Sequence, residues 1–151
     1  LWDFNAARQM VVAVKRDWAA EAMPKERDTF TLERKFTDEE MKNLRRGNVP
    51  KEMEDKWFFY MRHNKLFAHR SWTGFLIYVI EFNHTTNIHK VTVNRQEDQY
   101  NSVSIEEDRE HLDALLNWWV QPQYDYYHEW LTETYENLKK SGMIEEDDED
   151  E

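Results

Sequence analysis

Glu54–Phe82, EDKWFFYMRHNKLFAHRSWTGFLIYVIEF, is the stretch whose reading decides the fold. It sets Trp57, Phe58, Phe59, Tyr60, Phe67, Trp72, Phe75, Tyr78 and Phe82 among the cations Lys56, Arg62, Lys65, His69 and Arg70. β-Branched and aromatic runs separated by turn residues read as strands. Lys56–Arg62 is therefore expected as one strand and Leu66–Trp72 as its return. Thr73-Gly74 breaks the pattern, and Phe75–Phe82 forms a third strand. His63–Leu66 is the tight turn, with Asn64 as the residue suited to positive φ. With Asn64 and Lys65 as the two loop residues, Arg62 pairs with Phe67, Tyr60 with His69 and Phe58 with Ser71. On the other face Met61 pairs with Ala68, Phe59 with Arg70 and Trp57 with Trp72. That register gathers Tyr60, Arg62, His69 and Ser71 on one face. It sets Arg70 beside Trp57 and Trp72 on the other.

Working outward, Asn5–Met23 carries Met10, Val11, Val14 and Trp18 at helical spacing and is expected as a helix ended by Pro24. Asp28–Phe36 reads as a strand. Thr37-Asp-Glu-Glu40 is a capping-box signature, so a helix should run to about Arg46, with Gly47 as its terminator. Asn48, Val49 and Pro50 make a turn. Ile88–Arg95 alternates as a fourth strand of the central group. Ser104-Ile-Glu-Glu107 is a second capping box. It opens a helix to about Val120, with Leu112, Leu115, Leu116 and Trp119 on its apolar side. Pro122 interrupts, a last helix runs from about Tyr124 to Lys140, and Gly142 closes it. Strands clustered between helices argue an α+β fold. The expectation is one domain over residues 1–144. Its antiparallel sheet has four to five strands, packed against an N-terminal helix and two C-terminal helices.

The chain of 151 residues is 15% aromatic with only three glycines, a composition that favours a packed core over disorder or a glycine-rich phosphate loop. Cysteine is absent, which removes thiol nucleophiles, thiolate metal sites and disulfides, and suits an intracellular, cytoplasmic setting. No apolar run reaches the length of a membrane span. A chain that opens on Leu1 rather than Met is compatible with a trimmed start. Net charge is −11, and the seven acidic residues Glu145–Glu151 account for most of it. An acidic body is a poor partner for duplex nucleic acid. The tail itself reads as a disordered, solvated end that could address a basic partner.

The chemistry-bearing residues centre on the hairpin. Lys56, Arg62 and Arg70 suit phosphate or carboxylate, and Trp57 and Trp72 suit stacking on a flat ring. Ser71 adds a hydroxyl, and His69 is the first candidate for acid–base work. Ser71 and His69 share a face but stand too far apart along the strand for a nucleophile–base pair. A half-buried Arg70 needs an anion, which Asp55, Glu54 or Glu81 could supply, or a ligand could. The carboxylates around Asp108–Asp113 with His84 and His89 match no metal-ligand spacing. Glu107, Glu110 and His111 read as a solvated helix turn. Tyr124-Asp-Tyr-Tyr-His-Glu-Trp130 reads as packing, or as a pocket wall with two acids. No metal and no cofactor is assigned.

Leu44-Arg-Arg-Gly47, Pro50, Glu54-Asp-Lys-Trp-Phe58, Arg70-Ser-Trp-Thr-Gly74 and Ile77-Tyr78, with Thr92-Val-Asn-Arg95 and Gln99-Tyr100, together resemble an uncharacterised small domain. That domain occurs alone or attached to ADP-ribosylglycohydrolase-like proteins. The resemblance covers the middle two-thirds of the chain. It implies a role near ADP-ribose, NAD or a related nucleotide, and it transfers no catalytic residue. Two readings follow: a nucleotide- or ADP-ribose-type ligand-binding module, or a non-catalytic protein-interaction module whose acidic tail meets a basic partner.

Overall fold

The structure, a computed structural model, describes residues 12–102, 104–122 and 126–142. Its centre is an antiparallel sheet of five strands: β1 (Arg27–Glu33), β2 (Trp57–Arg62), β3 (Lys65–Arg70), β4 (Leu76–Glu81) and β5 (Ile88–Asn94). Their spatial order is β1-β5-β4-β3-β2. The meander β2–β5 pairs each strand with the next, and β1 adds itself to the far edge alongside β5. Among the described residues three α-helices join the sheet: α1 (Asp38–Arg46), α2 (Ile105–Trp119) and α3 (Tyr126–Lys140). The α+β class and the antiparallel sheet follow the sequence reading.

Both cap signatures act locally as chemistry requires. Thr37 Oγ1 accepts from the Glu40 amide at 3.0 Å, and Glu40 Oε1 accepts from the Thr37 amide at 3.0 Å. Ser104 Oγ accepts from the Glu107 amide at 3.1 Å. Each bond satisfies one of the donors that a helix start leaves without a partner. Gly47 ends α1 with φ +69°, where a Cβ would stand 2.6 Å from the Phe59 carbonyl oxygen, so only glycine fits.

Two expectations need correction. The β2–β3 loop is His63-Asn64, not Asn64-Lys65: Arg62 pairs with Lys65, Tyr60 with Phe67, Phe58 with His69 and Trp57 with Arg70. Positive φ falls on His63 (58°), the first loop residue. Asn64 instead donates its side-chain amide to the Phe82 carbonyl, an anchor that spacing along the chain does not disclose. The slip is two residues, an even number, so every side chain keeps the face assigned to it. The second correction concerns the N-terminal segment. Residues 12–23 form no α-helix; they run as a strap with a single 3₁₀ turn at Lys15–Asp17. Asn5 to Val11, the start of the expected helix, lie outside the described residues, as do Tyr124 and Asp125 and the tail Glu145–Glu151.

The two faces of the sheet are covered differently. One face joins Phe30, Leu66, Ala68, Tyr78, Ile80, Val91 and Val93 to Met41 and Leu44 of α1 and to Leu112, Leu116 and Trp119 of α2. Behind the β2–β3 hairpin, Phe58 and Tyr60 pack with Ala13, Ala20, Val49 and Phe67. The strap closes this second face through three bonds. The Ala13 amide donates to the Arg46 carbonyl (2.9 Å), Trp18 Nε1–H to the Ser71 carbonyl (2.7 Å), and the Glu21 amide to the Gly74 carbonyl (2.9 Å).

Candidate functional site

Neighbouring residues on a strand point to opposite faces, and that parity divides the sequence-selected residues. Trp57 and Arg70 are directly opposed and share the face toward α2. The Arg70 guanidinium lies 5.1 Å from the centre of the Trp57 ring, in cation–π range. Arg70 is half-buried, and among the described residues no carboxylate forms an ion pair with it. Glu54, Asp55 and Glu81 therefore leave it open. Asp55 is taken instead by Asn48, whose Nδ2 reaches its carboxylate at 3.0 and 3.1 Å.

The other selected residues do not converge there. Lys56 is exposed just before β2. Arg62 sits at the far end of the hairpin, five residues along the strand and so about 17 Å from Trp57. Ser71 is buried and structural: its hydroxyl donates to the Asp55 carbonyl at 2.8 Å. Trp72 is 73% exposed and donates its indole N–H to the Met53 carbonyl at 3.0 Å. His69 belongs to the opposite, strap-covered face, between Phe58 and Tyr60 and stacked on the latter at 5.7 Å. Its Nδ1 meets the Gly74 carbonyl at 2.9 Å and must carry the proton, so Nε2 is a lone pair buried without a partner. Burial lowers the His69 pKa, opposed by the Gly74 bond and aided by the Lys15 charge. Burial likewise pushes Tyr60 up to about 12.

What joins Trp57 and Arg70 is a polar network that the sequence reading passed over. The Trp57 ring stacks on Tyr78 at 6.2 Å and tilts against His111 at 6.0 Å. His111 Nδ1 lies 2.8 Å from the Tyr78 hydroxyl, which lies 2.9 Å from the Tyr100 hydroxyl, which lies 3.1 Å from Asp108 Oδ1. Each hydroxyl has one proton to give. A single direction supplies a hydrogen to each of these three shortest contacts: His111 Nδ1–H donates to Tyr78, Tyr78 to Tyr100 and Tyr100 to Asp108. The carboxylate at the end of the chain is fully buried. It is ion-paired to Arg95, with Asp108 Oδ2 and Arg95 Nη2 2.5 Å apart, a charge contact without hydrogen-bond alignment. Arg95 also pairs with Asp28 at 2.9 Å.

The titration shifts follow. Burial raises Tyr78, and its bond to Tyr100 raises it further, so both phenols stay protonated. Burial opposes the Arg95 charge, but the close contact with Asp108 and the bond and charge of Asp28 more than offset it, and the net shift is upward. His111 is lowered, first by burial and then by the Arg70 charge, against the opposing pull of Asp108. A neutral His111 holding its proton on Nδ1 leaves Nε2 as a hydrogen-bond acceptor. The site thus combines a cation without a carboxylate partner, an indole wall and an imidazole acceptor fixed from behind. His111 reads from sequence as part of a solvated turn, and Asp108 only as a carboxylate without metal-ligand spacing; the missed signal is that Asp108 stands four residues before Leu112, in the apolar stripe of α2.

Among the described residues no group of three or more His, Asp or Glu side chains is placed to hold a metal ion, and no helix is long and apolar enough to cross a membrane. Comparison with protein-family models, with curated proteins and with solved structures finds no match for this chain.

Proposed function

We propose that the chain is a small ligand-binding module for a nucleotide-type anion, with Arg70 as the phosphate clamp and Trp57 as part of the wall beside the ligand. One observation carries this reading: a half-buried guanidinium, laid over an indole, with no carboxylate ion pair among the described residues. A buried or half-buried charge without a counter-charge is costly unless a ligand supplies one. A phosphate accepts from the N–H edge of a guanidinium in two parallel bonds. His111 Nε2 offers an acceptor for a ribose hydroxyl or a base N–H. The choice of ADP-ribose or NAD within the nucleotide class rests on the sequence resemblance alone. His111 replaces His69 as the histidine placed for this ligand.

Isothermal titration of the full chain with ADP-ribose, NAD and ATP tests the reading. The expected result is saturable heat with at least one of them, weakened about tenfold or more by Arg70→Met, which removes the charge and keeps the length. Absence of heat and of thermal protection with all three ligands contradicts it.

A second reading, the protein-interaction module, draws on the exposed Trp72 and Met53. They present adjacent apolar surface because the Trp72 indole is tied to the Met53 carbonyl. The acidic tail that would serve this reading lies outside the described residues.

A further inference from the structure

We propose that an anion seated on Arg70 makes His111 take up one proton from solvent on Nε2, so that the site binds its ligand more tightly as the medium turns acid. This rests on the nucleotide reading of Arg70 and adds a pH control to it.

His111 has one ring nitrogen committed and one open. Nδ1 carries the hydrogen that the Tyr78 hydroxyl accepts at 2.8 Å. His111 is half-buried, and its Nε2 makes no hydrogen bond among the described residues, yet it is not sealed from water as the His69 Nε2 is. A proton can therefore leave water and form an N–H at this lone pair without breaking any bond. The imidazole becomes imidazolium, and Nδ1–H goes on donating to Tyr78.

The charges around His111 decide when that happens. From β3 comes Arg70, set against the same indole: its guanidinium lies 5.1 Å and the imidazole 6.0 Å from the Trp57 ring. From α2 itself comes the buried Asp108, with Glu107 one turn back on the exposed side. Arg95, just after β5, offsets Asp108 through their ion pair. β4 and the connector after β5 present only the neutral hydroxyls of Tyr78 and Tyr100, and β2 only the Trp57 indole. Burial first, and the Arg70 charge after it, hold His111 neutral in the free chain against the pull of Asp108. Of these influences the Arg70 repulsion is the one that an incoming anion cancels. A phosphate on the guanidinium also brings negative charge of its own toward the imidazole, so Nε2 gains proton affinity.

The sign follows from linkage. The free chain titrates His111 below the ordinary histidine value of 6.5, and the bound chain titrates it higher. Between those two values binding takes up a proton, and affinity rises by up to about tenfold for each pH unit of acidification. Above both values the effect vanishes. The same proton narrows the contact. Neutral Nε2 accepts from a ribose hydroxyl or a base N–H, whereas Nε2–H can only donate. A hydroxyl serves both states and a base N–H only the first, so His111 faces the ribose or a phosphate oxygen rather than the edge of the base.

Histidine-ring NMR of the full chain, with and without saturating ADP-ribose, tests the coupling, and the Trp57 indole signal reports occupancy. The diphosphate of this probe keeps a constant charge across the histidine range, so any proton taken up belongs to the protein. ADP-ribose is expected to raise the His111 midpoint by about one pH unit and to bind several-fold tighter at pH 6 than at pH 7.5. Arg70→Met without ligand should raise the midpoint as well, since it removes the repulsion. A Trp57 signal that moves saturably while the His111 midpoint stays in place overturns the coupling and leaves the nucleotide reading standing. A midpoint unchanged by Arg70→Met also overturns it. A Trp57 signal that never moves removes the nucleotide reading, and the coupling falls with it.

Discussion

The two faces of the β2–β3 hairpin are made by alternate residues of the same twelve-odd positions, yet they do opposite things. Behind the hairpin, Phe58, Tyr60 and His69 are sealed under the strap, and a histidine lone pair is left there without a partner. In front, Trp57 and Arg70 face α2 beside a chain of phenols and an imidazole that ends on a buried ion pair. The difference teaches where to look for function. A neutral unsatisfied acceptor is tolerable in a core, whereas a half-buried cation calls for a counter-charge. His69 and Arg70 are adjacent in sequence and were natural partners for one site; strand parity puts the sheet between them.

The largest expected effects test whether each face is held as described. Asp108→Ala strands Arg95 beside a vanished partner and should cost about 3 kcal/mol, the lower end for a broken buried pair because Arg95 also keeps Asp28. Phe58→Ala opens a cavity behind the hairpin and should cost about 3–5 kcal/mol. Denaturant unfolding measures both. Limited trypsin digestion separates them: Phe58→Ala should also speed cleavage at Lys15 and Arg16 by loosening the strap, and Asp108→Ala in the folded state should not.

Acid sharpens the comparison next. His69, His89 and His111 all have pKa values lowered by burial, the last additionally by Arg70. The unfolded chain therefore binds more protons than the folded one below about pH 6.5. Their contribution to stability is complete above that pH and is lost as pH falls toward the folded-state values, each histidine costing at most about 1.4 kcal/mol per pH unit. Denaturant midpoints measured from pH 7.5 to pH 5 should decline over this window. His69→Phe should flatten the decline, since a proton arriving at its Nε2 finds no acceptor.

Much of this was legible in the chain. Aromatic and β-branched runs marked every strand of the meander, and the two capping signatures fixed the starts of α1 and α2. The register slipped because Asn64 is the usual residue for positive φ, while here its side chain is committed to Phe82 and His63 takes the strained position. Val14 and Trp18 carry helical spacing, but Trp18 is needed at the Ser71 carbonyl, and a strap can reach there where a helix would not. Of the candidate site, Trp57 and Arg70 were found from residue type. The His111–Tyr78–Tyr100–Asp108 chain joins α2, β4 and a connector, a tertiary arrangement with no local pattern except the acid in the apolar stripe of α2.

The smallest stability effects carry the clearest contrast. Trp18→Phe removes one strap bond and should cost about 1 kcal/mol without touching ligand binding. Arg70→Met gives up a cation–π contact worth about 0.5–1 kcal/mol, yet should weaken nucleotide binding about tenfold or more.

The central claim is that the face bearing Trp57 and Arg70 receives a nucleotide-type anion and the strap-covered face does not. Indole N–H resonances, assigned by single Trp→Phe variants and followed while ADP-ribose is titrated into the full chain, address it directly. The account predicts that the Trp57 signal moves saturably and that the Trp18 signal stays in place. A stationary Trp57 signal, or movement confined to Trp18, contradicts it.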